Sequence, residues 1–109
     1  MILTNAFSIN MFPGVRERTV KFIPATLEQA KGLIGETKVT GAIGHATTAA
    51  LVNGLLDVEI EHTRVNVVFG ENDDLLVAQY TGPRLPEGAT VLPEGAAINF
   101  WLVVEVQNA

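Results

Sequence analysis

The sequence predicts a single α/β domain, a mixed sheet of about five strands flanked by helices. Three observations carry this. Residues 18–23, RTVKFI, alternate polar and apolar side chains, the period of a half-buried strand. Residues 42–56, AIGHATTAALVNGLL, bring Ala49, Val52, Leu55 and Leu56 round at helical spacing. Residues 98–106, INFWLVVEV, form a nearly continuous apolar run, the mark of a strand covered on both faces.

The remaining elements follow in chain order. Residues 2–8, ILTNAFS, read as a first strand, and Pro13–Gly14 marks a turn. The strand at 18–23 is expected to end at Pro24. Thr26 then caps a helix running to about Gly35, with Leu27, Ala30, Leu33 and Ile34 turned inward. Gly41 and Gly44 bracket a loop before the second helix, which opens on Gly44 and His45. Residues 64–69 and 75–80 read as a hairpin around GENDD. Residues 82–97, rich in proline and glycine, read as a long loop with at most one helical turn.

The composition narrows the function classes. The 109 residues suit one domain spanning 1–109. A hydrophobic share of 48% lies above the disordered range, so the chain is expected to fold. No cysteine is present, which removes disulfides and thiolate metal sites and fits a reducing cytoplasm. MILTNAFSIN has no basic segment and no long apolar run, so neither a signal peptide nor a membrane association is expected. A net charge of −5 argues against general binding to DNA or RNA, although a few arginines in one pocket can still hold a small anion.

Three stretches carry candidate chemistry. His45 stands at a helix start, where the positive end of the helix opposes an imidazolium. A phosphate bound at the same end favours it, an arrangement suited to a general acid. The plainer reading is a partly exposed histidine in a local hydrogen bond. In NAFSINM, residues 5–11, Asn5, Ser8 and Asn10 interrupt an apolar strand, with Ser8 and Asn10 on one face. Polar groups at a strand's carboxyl end line ligand crevices of α/β sheets, and capping of an edge strand is the alternative. In PRLPEG, residues 83–88, prolines restrict a loop that holds Arg84, a phosphate-binding type, and Glu87. A surface ion pair between the two is the alternative. With two histidines and no cysteine, a zinc site is not expected. GENDD lacks the spaced ligands of a calcium loop, His62 reads as solvent-facing, and no nucleotide fingerprint or nucleophile elbow occurs.

Taken together, NAFSINM, the GHATT helix start, RVNV after it and QYTGPRLPEG resemble one family. It is the small viral-type ring nuclease family, the type III anti-CRISPR proteins, and the resemblance spans roughly residues 3–104. It implies a homodimer of mixed-sheet protomers that cleaves cyclic tetra-adenylate, the second messenger of type III CRISPR complexes, without metal or cofactor. On this resemblance His45 matches the general acid, and Ser8 matches a serine near the scissile phosphate. Arg84 and Glu87 match an R-x-x-E pair that positions substrate. Asn5, Asn10, Gly44, Thr47, Thr48, Arg64 and Gln79 fall at substrate-binding positions. PEGAAINFW departs from the family, being rich in glycine and alanine where relatives often carry a charged helical turn. The resemblance implies action in the cytoplasm, that of the host if the chain is viral. A protein that binds the cyclic nucleotide without cutting it is the alternative, and a DNA-associated viral protein fits least well with the acidic charge.

Overall fold

The computed structural model describes residues 1–36, 38–61, 68 and 74–106. Among these, the chain forms β1 (Ile2–Thr4), a 3-10 turn (Ile9–Met11), β2 (Thr19–Ala25), α1 (Leu27–Gly35), β3 (Thr40–Ala42), α2 (Ala46–Leu56), β4 (Leu75–Thr81) and β5 (Ala97–Val106). The strands build one mixed sheet in the order β2-β5-β4-β1-β3. β1 pairs parallel with β3 on one side and with β4 on the other. β5 runs antiparallel to both β4 and β2.

The helices cover one face. Leu3, Leu76, Ala78 and Phe100 point from the sheet into a cluster with Ala30 and Ile34 of α1 and Ala49, Val52 and Leu56 of α2. Leu27 and Leu55 pack at its margin, so the predicted inward faces of both helices are largely as found. Thr26 caps α1 reciprocally: its hydroxyl accepts the Gln29 N–H at 3.1 Å, and the Gln29 side chain accepts the Thr26 N–H at 2.9 Å. On the opposite face Leu75, Val77 and Val103 are covered by Met11, with Phe12, Val20 and Trp101 beside it. That second cover is small, and it leaves Phe22 at 49% exposure and Phe7 at 36%.

Four expectations need correction. The first strand stops at Thr4 rather than residue 8. The Thr4 hydroxyl donates to the carbonyls of Ala6 at 3.2 Å and Ala42 at 3.4 Å, and the chain then bends into the 3-10 turn. Pro24 lies inside β2, in register with Trp101. β2 is an edge strand, where a missing N–H can face outward at no cost to the ladder. The loop expected around Gly41 contains β3, which at three residues is too short to show a period. Finally, β5 lies inside the sheet, yet only Phe100 and Val103 of it are buried; the strand covered on both faces is β4, where Leu75, Leu76, Val77 and Ala78 are all buried. The predicted strand 64–69 and most of GENDD lie outside the described residues, apart from exposed Val68 and Asp74.

Two contacts tie the periphery to this frame. Arg18 pairs with Glu105 at 3.1 Å, donates to the Pro13 carbonyl at 2.8 Å and lies 4.9 Å from the centre of the Phe12 ring. Asn53 of α2 donates to the Ile60 carbonyl at 2.6 Å, holding the chain after α2 against β3. No helix among the described residues is long and apolar enough to cross a membrane.

The crossing at β3 needs a residue without a side chain. A methyl group on Gly41 would collide with Cγ2 of Ile60 and lie 3.3 Å from the Glu61 carbonyl oxygen. Gly54, on the exposed side of α2, has nothing within 4 Å. Gly41→Ala is therefore expected to lose about 1–3 kcal/mol in urea unfolding, whereas Gly54→Ala gains about 0.5–1 kcal/mol from helix propensity. Equal unfolding midpoints for the two variants would contradict this packing.

Candidate functional site

The parallel trio β4-β1-β3 sends three chain exits to one edge of the sheet. Asn5 follows β1, Gly44 and His45 follow β3, and Gly82 to Arg84 follow β4. The carboxyl ends of parallel strands are where α/β sheets open a crevice for ligands. The β3–α2–β4 crossover also sets the amino end of α2 at this edge, where first-turn backbone N–H groups have no acceptor within the helix itself.

His45 is the N-cap residue of α2. Its backbone is extended (φ −120°, ψ 120°), its side chain makes no capping bond, and it is exposed. The imidazole is thus not spent on holding the helix. It lines a cavity of about 410 Å³ together with Arg84, Leu85, Pro86 and Glu87. Arg84 and Glu87 do not pair with each other; among the described residues the ion pairs are Arg18–Glu105 at 3.1 Å and Lys31–Asp57 at 3.5 Å. The two charges are exposed and held by the loop rather than by one another.

The loop's shape comes from its base and two turns. Gly82 has φ +137°, and a Cβ there would come within 2.7 Å of Ala96 Cα, so the two ends of the loop touch. The Ala89 N–H donates to the Pro86 carbonyl at 3.2 Å and the Ala96 N–H to the Pro93 carbonyl at 3.0 Å. These turns stand where at most one helical turn was expected. The Gly88 N–H donates to the Thr47 hydroxyl at 3.1 Å, joining the loop to the first turn of α2.

A second cavity, of about 430 Å³, opens on the sheet face opposite the helices. Asn5, Phe7, Phe22, Val77, Gln79 and Trp101 line it. Phe7 meets Phe22 edge-on at 5.1 Å, and Trp101 Nε1–H donates to Gln79 Oε1 at 3.0 Å. That bond occupies the amide oxygen of Gln79 and leaves its NH2 group as the outward donor. Among the described residues no group of three or more His, Cys, Asp or Glu is placed to hold a metal ion.

The STIV B116-like family pattern matches residues 1–98. The solved structure of B116 from Sulfolobus turreted icosahedral virus superimposes with a TM-score of 0.75 at 30% identity, covering 94% of this chain and 96% of that one. The chain belongs to the STIV B116-like family. "Uncharacterized protein 26" of Sulfolobus islandicus filamentous virus (isolate Iceland/Hveragerdi) is 28% identical over 106 residues, 94% of this chain and 88% of its own length. These two relatives of the B116-like chain are proteins of Sulfolobus viruses, and their names state no activity.

Within this B116-like fold the sequence-predicted site residues divide into groups. His45, Arg84 and Glu87 share the first cavity, and Asn5 and Gln79 share the second. Thr47 and Thr48 are buried in the first turn of α2, Thr47 bonded to the loop. Ser8 caps the 3-10 turn, its hydroxyl accepting the Asn10 N–H at 3.2 Å, and Asn10 is exposed. Gly44 precedes His45 and is half-buried, while Arg64 and His62 lie outside the described residues. Sequence reasoning missed Phe7, Phe22 and Trp101. The signal was present in β2 and β5: Phe22 stands in register with Val103, and Trp101 precedes it by two on the same face.

Proposed function

We propose that this protein is a metal-independent ring nuclease. It cuts cyclic tetra-adenylate into linear di-adenylates with 2′,3′-cyclic phosphate and 5′-hydroxyl ends, and so switches off the ancillary effectors of type III CRISPR systems. The observation that carries the reading is the shared cavity of His45, Arg84 and Glu87 at the carboxyl edge of three parallel strands. The resemblance of the NAFSINM, GHATT and PRLPEG stretches to ring nucleases supplies the substrate class.

The chemistry asks little of the protein. Each ribose 2′-hydroxyl adjoins its own phosphodiester, so the substrate brings the nucleophile. The 2′-oxygen forms its bond to phosphorus as the bond to the 5′-oxygen breaks, and solvent takes the 2′-hydroxyl proton. Holding these atoms in line is positioning catalysis. His45 donates the proton that the departing 5′-oxygen needs. Arg84 and the amide N–H groups opening α2 stabilise the charge on the phosphoryl oxygens, and Glu87 helps to orient the ring. The aromatic cavity suits an adenine: Phe7, Phe22 and Trp101 offer ring surfaces, and the Asn5 and Gln79 amides offer hydrogen bonds to its edge.

The ring also argues for two protomers. Four identical nucleotides in a circle have a two-fold axis, and so does an isologous dimer. A homodimer presents one His45 to each of two opposite linkages, and loop 82–96 of each protomer closes over the ring. Activity per protomer is expected to fall on dilution in step with dimer dissociation, followed by sedimentation; full activity in a monomer would contradict the proposal.

The direct test is His45→Ala, assayed with EDTA present throughout. Its cleavage of cyclic tetra-adenylate is expected to drop about 10²–10⁴-fold while binding persists. A wild-type rate in the variant would refute the assignment. Wild-type protein that consumes no more than one ring per dimer would instead identify a non-catalytic binder.

A further inference from the structure

The groups that face the ring come from distant parts of the chain. His45 belongs to the end of β3 and the cap of α2, whereas Arg84 and Glu87 ride on a loop leaving β4. Catalysis by positioning requires a fixed spacing between them, and a hydrogen bond joins the two carriers. The Gly88 N–H donates to the Thr47 Oγ1 at 3.1 Å, across a separation of 41 residues. Thr47 is in the first turn of α2, two residues from His45, and is only 6% exposed. Gly88 is next to Glu87, inside the turn that the Ala89 N–H closes onto the Pro86 carbonyl at 3.2 Å. The bond therefore grips the loop beside one of its charges and the helix beside the imidazole.

The surroundings make this bond hard to replace. Thr47 is buried on the packed side of α2 with Thr48, Leu51 and Val52, and its bond to exposed Gly88 is part-buried. A buried group that loses its partner bears its desolvation penalty uncompensated. At its base the loop is clasped by the contact between Gly82 and Ala96, and the Tyr80 hydroxyl donates to the Pro83 carbonyl at 2.5 Å; both ties hold the loop to the β4–β5 end of the sheet, whereas the Gly88–Thr47 bond holds it to α2.

We infer that Thr47 is a positioning residue. By accepting the Gly88 N–H it latches the Arg84–Glu87 loop onto α2 and sets the spacing between the imidazole, the guanidinium and the carboxylate. The inference rests on the ring-nuclease reading, and it gives Thr47 a role that needs no contact with the ring. It differs in this from the resemblance, which counts Thr47 among the substrate-binding hydroxyls.

Thr47→Val keeps the side chain's shape and removes the acceptor; Thr47→Ser keeps the hydroxyl. Three readouts on each full-length variant decide the matter: kcat and KM on cyclic tetra-adenylate, hydrogen exchange of the Gly88 amide by NMR, and Tm. Thr47→Val is expected to lower kcat about 10–100-fold with KM little changed, the scale of a small misplacement of reacting groups. Its Gly88 amide exchanges faster, and Thr47→Ser restores both. A folded Thr47→Val protein with wild-type kcat, or one whose Gly88 exchange is unaltered, overturns the inference, as does a Thr47→Ser variant no better than Thr47→Val. Should the wild type leave the ring uncut, the ring-nuclease reading fails on that result alone. The latch is then decided by the exchange: acceleration in Thr47→Val reversed in Thr47→Ser supports it, and no change overturns it.

Discussion

The pairing of β1 with parallel strands on both sides is the constraint on which the rest of this fold depends. β1 is only three residues long, yet it fixes the direction of β3 and β4 together. Once those three strands point the same way, their exits open at one edge, and the helix that connects β3 to β4 must begin there. That topology brings an N-cap histidine and a charged loop to a single cavity although they are far apart in the chain. The short strand is secured accordingly. The Thr40 N–H donates to the Met1 carbonyl at 2.9 Å, the Ile2 N–H donates to the Asp74 carbonyl at 3.0 Å, Leu3 is fully buried, and the Thr4 hydroxyl ties the strand's end to Ala42.

The two faces of the sheet have different tasks. The helical face carries the larger core, built from Leu3, Leu76 and Phe100 against α1 and α2. Among the described residues the other face has the N-terminal segment over it, anchored by Met11. Much of the apolar surface that a second pair of helices would hide is left as an aromatic cavity between Phe7, Phe22 and Trp101. The His45–Arg84 cavity and the aromatic cavity have separate linings, the first built from the ends of β3 and β4 and the second from the chain after β1 and side chains of β2, β4 and β5.

Much of this architecture is legible in the amino-acid sequence, and the parts that are not share a physical reason. Both helices, the capping role of Thr26 and the inward positions Ala30, Ala49 and Val52 follow from periodicity and local chemistry, which act over a few residues. β3 and the early end of β1 are not legible, because three-residue strands have no period and are stabilised by long-range pairing. Pro24 misleads for a related reason: whether proline ends a strand depends on whether that strand lies at an edge, which is a property of the whole sheet. Of the site, His45, Arg84 and Glu87 stand out by residue type and neighbours. Their meeting in one cavity, the capping role of Ser8 and the bond from Gly88 to Thr47 depend on tertiary contacts that no local window contains. The aromatic cavity is hidden in the sequence because Phe22 and Trp101 look like ordinary alternating strand residues until the sheet register puts them on one face, where Phe22 stays 49% exposed.

In the proposed reaction the imidazole at the start of α2 supplies the proton taken up by the departing 5′-oxygen. The most direct measurement compares cyclic tetra-adenylate with a ring whose scissile 5′-oxygens are replaced by sulfur, a leaving group that departs as a thiolate and needs no proton. Wild type and His45→Ala are expected to cleave the sulfur ring at similar rates, although they differ widely on the oxygen ring. An equally large gap between the two proteins on both rings would contradict proton donation by His45 and leave the histidine some other part in the site.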